Sequence, residues 1–172
     1  MRSFLEVKNL SKAFKKNRAL DQVSFCVEEG STLGIVGESG CGKSTLGRTI
    51  VRLYQADAGE IYFKGQELTQ LTEQQFRPLR RYLQMIFQDP YLSLDPRMTA
   101  GEIIAESLYI HKLFHKKTDI VDRQKELMAM IGMNSEHLNR YPHEFSGGQR
   151  QRIGLARALA VGAQLIICDE PV

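Results

Sequence analysis

Residues 37–44 read GESGCGKS, and no other part of the chain limits its fold as tightly. Three glycines, Gly37, Gly40 and Gly42, free the backbone for turns that other residues resist, and Lys43 and Ser44 follow at once. The loop is preceded by the compact apolar run TLGIV at 32–36. It is followed by 44–54, where Leu46, Ile50 and Leu53 recur at helical spacing. Strand, glycine loop and helix in this order require an α/β fold, in which the helix starts where the strand ends.

The flanking segments extend that expectation. FLEV at 4–7, and Val23, Phe25 and Val27 alternating with Ser24 and Cys26 up to the turn EEG, predict a small antiparallel sheet at the N-terminus. GEIYFKG at 59–65 and the run 82–87 predict two more strands. Between 89 and 145 the pattern turns helical, with Ile103, Ile104, Ser107 and Leu108 on one helix, Val121, Leu127, Met128 and Ile131 on another, and turns at DP, GMN and YP. Residues 149–161 place Ile153, Leu155, Ala156 and Leu159 on one helical face, and LIIC at 165–168 follows as a strand of the buried type. The expected organisation is one domain: a β-subdomain and α/β core from 1–88 and 146–172, with a helical subdomain inserted at 89–145.

Bulk properties set outer bounds. A chain of 172 residues, 42% hydrophobic and 25% charged, can bury one substantial core. No apolar run approaches the roughly 18–20 residues that cross a bilayer, and MRSFLEVKNL lacks the apolar centre of a secretory signal, so the expected location is cytoplasmic. Cys26, Cys41 and Cys168 are odd in number and without a C-x-x-C pair, which argues against a disulfide framework or a zinc site. A net charge of +3 is too small to predict nucleic-acid binding. His111 and His115 share a helical face with Lys112, Lys116 and Lys117, which reads as a solvated basic face.

The glycine loop directs successive backbone N–H groups at one anion, and the helix opening near Thr45 adds its positive end. This chemistry suits the phosphates of a nucleotide: Lys43 reaches the β and γ positions, the Ser44 hydroxyl ligates magnesium, and Glu38, Ser39 and Cys41 complete the cradle. A nucleoside triphosphate carries about −4, against about +2 from magnesium, +1 from Lys43 and +0.5 from the helix end, so further positive partners are required. LIICDE at 165–170 supplies two acids at a strand end: Asp169 as a magnesium carboxylate, and Glu170 as the group that polarises attacking water.

FSGGQRQR at 145–152 resembles the signature of the ATP-binding cassette (ABC) family, with Phe where Leu is usual. Ser146 can cap a helix beginning near Gly147, leaving an anion site at its N-terminus. The resemblance implies a P-loop NTPase (RecA-like) core with an N-terminal antiparallel β-subdomain and an inserted α-helical subdomain. It implies ATP and magnesium as cofactors, and head-to-tail pairing with a second ATPase subunit, identical or paralogous. In that pairing Ser146, Gly147, Gly148 and Gln149 complete the partner's γ-phosphate site. Gln88 in IFQDP resembles the family glutamine that contacts magnesium and the attacking water, and Phe14 stands where the family stacks an aromatic on adenine.

DPYLSLDPRMT at 89–99 and YPHEFSGGQRQR at 141–152 are similar to the second ATPase subunit of bacterial oligopeptide and dipeptide importers. That implies two transmembrane permease subunits, an extracytoplasmic peptide-binding protein acting indirectly, and a place at the cytoplasmic face of the membrane. Family members continue past the second acid with a dimer-contact loop and a switch histidine. The sequence as read stops at Val172, so the expectation is a stretch that binds ATP with impaired hydrolysis. Alternatives are an ABC ATPase that works without a transporter, and an inactive nucleotide-binding fragment.

Overall fold

The computed structural model describes residues 3–15, 17–88, 94–114 and 116–170, in two compact units, Met1–Arg80 and Arg81–Val172. In the first unit, alternation builds the sheet. β1 (Leu5–Phe14) buries Leu5, Val7 and Leu10 and pairs antiparallel with β2 (Asn17–Val27), Leu5 opposite Val27 and Phe14 opposite Asn17. Its other edge pairs antiparallel with β3 (Ala58–Phe63), Leu5 opposite Phe63 and Ser11 opposite Ala58. A tight turn through Lys64 and Gly65, both at positive φ, adds β4 (Gln66–Glu67), for the order β2-β1-β3-β4. Val7, Leu10, Ile61, Phe63, Leu68 and Phe76 form the apolar face, and the Arg52 and Arg80 guanidiniums lie 4.8 and 5.1 Å from the Phe76 ring centre.

The glycine loop leads into α1 (Lys43–Ile50), which buries Leu46 and Ile50 as the spacing predicts, and the one-turn α2 (Glu73–Phe76) follows later in the unit. Leu53 is exposed, contrary to expectation. The helix ends at Ile50, three residues before Leu53, with Arg52 at φ 55°, its N–H donating to Thr49 O and that of Leu53 to Arg48 O, and this left-handed stop turns Leu53 off the stripe. Residues 32–36 differ too. No strand forms there, Leu33 and Ile35 are about half exposed, and Val36 is 94% exposed. An apolar run of this kind is buried only when ladders flank it on both edges, and no described strand pairs with it.

In the second unit β5 (Leu83–Ile86) and β6 (Leu165–Cys168) pair in parallel, Leu83 opposite Leu165 and Ile86 opposite Cys168. Among the described residues, the connection between them carries the α-helices α3 (Ala100–Ile110), α4 (Lys117–Met130) and α5 (Gly147–Ala160). Their core joins Ile103, Ile104, Leu108, Ile120, Leu127, Met128, Phe145, Ile153 and Ala156. Gln124 is buried among them because its Nε2 donates to Gly101 O at 2.6 Å. Two expectations need correction. Val121 is 42% exposed, and the buried face of α4 runs through Ile120 and Gln124 instead. Leu165, Ile166 and Ile167 are half-buried, since β5 is their one ladder neighbour among the described residues. No helix among the described residues is long and apolar enough to cross a membrane.

Candidate functional site

Within the first unit, the phosphate-type loop is shaped by its glycines. Gly42 is the N-cap residue of α1 at φ 105°, a conformation that L side chains resist, and a Cβ there would collide with Ala19 O of β2. A Cβ on Gly37 would lie 2.7 Å from Cys41 Sγ, so the Cys41 side chain would have to shift to admit one. No side chain caps α1, which leaves its N-terminal dipole directed at the loop. Lys43 Nζ donates to Gly37 O and Glu38 O, each at 2.8 Å, which centres the one loop cation over the turn. Glu38, Ser39, Gly40 and Cys41 are exposed, and Lys43, Ser44 and Thr45 are half-buried where the helix begins.

Phe14 is the last residue of β1 and is 42% exposed. Its ring meets Tyr54 edge to face at 5.1 Å, and Lys12 Nζ lies 5.5 Å from the ring centre. Arg48 Nη1 donates to the Tyr54 hydroxyl at 3.3 Å. Beside this group, Asp57 accepts from Lys12 Nζ at 2.7 Å and from Ala13 N–H at 2.6 Å. The two donors hold its carboxyl below the usual carboxylate range, the Lys12 hydrogen bond having the larger effect. Sequence reasoning passed over Tyr54 and Asp57. Asp57 and Ala13 stand 44 positions apart with no periodicity linking them, so only a register for β1 and β3 could have exposed the pair.

In the second unit, the carboxyl ends of two parallel strands carry the candidate polar groups. Gln88 lies just past β5 and Glu170 just past β6, and Gln88 Nε2 donates to Glu170 Oε2 at 2.5 Å. Glu170 sits at φ 49°, an uncommon left-handed conformation for a residue with a Cβ. Asp169, one residue earlier, is 6% exposed, and its N–H donates to Ile86 O, extending the ladder by one bond. The structure thus brings Gln88 and Glu170 together and buries Asp169, the residue before Glu170.

The glycine pair 147–148 opens α5. Ser146 is its N-cap: Gln149 N–H donates to Ser146 Oγ at 3.3 Å, and Ser146 N–H donates to Gln149 Oε1 at 2.9 Å. Gln149, expected at a phosphate, is here part of the cap. Arg150 Nη1 donates to Phe145 O at 2.6 Å and Pro142 O at 3.2 Å, pinning the turn, and Phe145 is buried in the helical core. Nothing lies within 4 Å of a Cβ built on Gly147 or Gly148, and neither has positive φ. The chain's own packing therefore gives no reason for two glycines in a first turn, where Ala is the better helix former. Residues 89–93 of the expected docking segment, together with Lys16, His115, Pro171 and Val172, lie outside the described residues. Among the described residues no cluster of three or more His, Cys, Asp or Glu side chains could hold a metal.

The ABC transporter family profile matches residues 20–172. The chain is 54% identical over 98% of its length to the oligopeptide transport ATP-binding protein OppF of Bacillus subtilis, and covers 57% of that protein. It is 47% identical over 98% of its length to the dipeptide transport ATP-binding protein DppF of Lactococcus lactis, covering 56% of it. It therefore spans a little over half the length of these curated relatives. Among solved structures, a dimeric ATP-binding cassette in a post-hydrolysis state with ADP and Pi superposes on 98% of the chain. The TM-score is 0.86 at 29% identity, with 74% of that structure covered. A dimeric bacterial ABC transporter cassette matches 97% of the chain at a TM-score of 0.87 and 29% identity, with 74% of it covered.

Proposed function

The chain belongs to the ABC transporter family and has the α/β fold of its ATP-binding cassettes, and on that premise we propose that it is the ATP-hydrolysing motor of a peptide importer. Peptide as cargo is supported by the identity to the oligopeptide and dipeptide transport proteins. The observation that carries hydrolysis is the Gln88–Glu170 hydrogen bond at the ends of two parallel strands. It couples a carboxylate able to accept a proton from water to an amide able to orient that water, and phosphoryl transfer needs little beyond such positioning and charge stabilisation.

The phosphate loop binds the triphosphate through its backbone N–H groups, the α1 dipole and Lys43. Phe14 offers its exposed ring to adenine. Ser44, Gln88 and Asp169 would hold magnesium, which supplies positive charge against the triphosphate. By type the donors suit it, since a hydroxyl, an amide and a carboxylate all offer hard oxygen ligands. The Gln88 hydrogen bond uses its Nε2 and leaves Oε1 as the ligand atom, and Asp169 is already immobilised by burial and by Ile86 O. Ser146, Gly147 and Gly148, with the open space around the glycines, face the γ-phosphate of a second ATPase subunit, whose approach accounts for residues that packing does not require. The dimer joins two permease subunits at the cytoplasmic face of the membrane, fed by an extracytoplasmic peptide-binding protein, and residues 89–145 form the helical subdomain that receives them.

Glu170→Gln keeps the size and the partner of the side chain but removes its basicity. In the protein as encoded it should bind ATP with unchanged affinity while turnover falls by about 100-fold or more. Lys43→Ala should instead weaken ATP binding. Hydrolysis at the wild-type rate in Glu170→Gln would remove Glu170 from its role.

A further inference from the structure

We propose that Asp57 is a positioning residue for nucleotide binding, extending the β1–β3 ladder with its side chain so that the Phe14 ring is fixed for the base. The inference depends on Phe14 being the adenine platform. β3 accompanies β1 only as far as Ser11 opposite Ala58, while β1 continues through Lys12 and Ala13 to Phe14. On the β3 side, the end of β1 therefore has no ladder partner. Asp57, the residue before β3, takes over. Its N–H donates to Ser11 O at 3.0 Å, and its carboxylate accepts the Ala13 N–H at 2.6 Å and the Lys12 ammonium at 2.7 Å.

The strand end needs this support. On its β2 side the register is irregular between Leu10 and Lys12 and again between Lys12 and Ala13, and just beyond Phe14 the chain turns left-handed at Lys15. Charge-assisted bonds to a main-chain N–H and to an ammonium are the stronger kind, and together with the Asp57 N–H on Ser11 O they hold the backbone at Ser11 and Ala13 and the Lys12 side chain between them. The Lys12 side chain is 14% exposed against 47% for Asp57, so the pair is a partly sheltered one. Three residues before Asp57, Tyr54 meets the Phe14 ring itself. The segment from Tyr54 to Asp57 thus holds the backbone with one end and the ring with the other. A ring whose backbone is fixed loses less freedom when a base stacks on it, which favours binding.

The experiment compares two ligands on the protein as encoded: ATP, which has a base, and inorganic tripolyphosphate, which does not. Asp57→Ala should raise the Kd for ATP by about 3- to 10-fold, the range of one stacking contact, and leave that for tripolyphosphate unchanged. Asp57→Asn, which keeps an oxygen for the Ala13 N–H, should retain most of the ATP affinity. Phe14→Ala should show the same ligand selectivity, and adding Asp57→Ala to it should cost little more. Equal weakening of both ligands by Asp57→Ala makes Asp57 a purely structural residue and overturns the proposal. So does an unchanged ATP Kd in Asp57→Ala while Phe14→Ala weakens it. If Phe14→Ala itself leaves ATP binding intact, the platform reading fails and this inference falls with it. Should Asp57→Ala not fold, Asp57→Ser takes its place in the same comparison.

Discussion

Gly42 turns at φ 105° and has Ala19 O where a Cβ would stand, whereas Gly148 has ordinary helical φ and open space around it. The two glycines should therefore answer replacement in opposite ways. Gly42→Ala forces a left-handed residue against backbone and should cost about 1–3 kcal/mol in denaturant unfolding, with ATP binding lost as the loop shifts. Gly148→Ala should leave stability equal or raise it by about 0.5–1 kcal/mol, the usual gain of Ala over Gly inside a helix, while turnover drops. A stability loss in Gly148→Ala would mean that the glycine serves the chain's own packing and not an approaching phosphate. Cys41 offers a further residue-level readout. It is exposed in the same loop, so maleimide labelling should be rapid without nucleotide and slowed by saturating ATP.

At the level of elements, α3 depends on its first turn. Thr99 N–H and Oγ1 both donate to Glu102 Oε2, at 2.7 and 3.0 Å, and Glu102 N–H donates to Thr99 Oγ1 at 3.3 Å. These bonds to Thr99, the backbone one foremost, depress the Glu102 pKa from its ordinary value. A depressed carboxylate contributes stability that is present above its unfolded pKa, about 4.3, and is lost as pH falls through the lower folded value. Glu102→Gln should lower the melting temperature at pH 7, and the gap from wild type should narrow once the pH passes below about 4. A gap that is constant with pH would show that charge plays no part in the cap. This element, like β1, β3, β5, β6 and α5, was legible in the sequence because its signal is local: an alternation, an apolar run, a helical stripe or, at Ser146, a capping residue. What was not legible depended on neighbours distant in sequence. Residues 32–36 read as a strand from their apolar run, but a parallel strand exists only through its ladder partners. Leu53 and Val121 fell off their predicted faces because a left-handed stop at Arg52 and the insertion of Gln124 into the core set the actual rotation.

On the scale of the whole molecule, the candidate residues divide by how each can be read. The phosphate loop, Asp169, Glu170 and the Ser146 cap declare themselves by local pattern. The Gln88–Glu170 bond and the Asp57 clamp join residues brought together by strand register, which no motif spacing encodes. In the head-to-tail pairing proposed above, the phosphate loop of one subunit would be served by the glycine pair of the other. A head-to-tail arrangement makes this testable with two broken proteins. Lys43→Ala removes the loop cation, and Gly148→Ala blocks the approach at the signature turn, so either protein alone forms dimers with both sites damaged. When equal amounts are mixed and allowed to exchange, half of the dimers are mixed. In each mixed dimer both lesions fall on one site and the other site is intact, so ATPase activity should recover to about a quarter of the wild-type level. If the loop and the glycine pair act within one chain, mixing brings no intact site into being. A mixture no more active than its components would then exclude completion between copies of this chain.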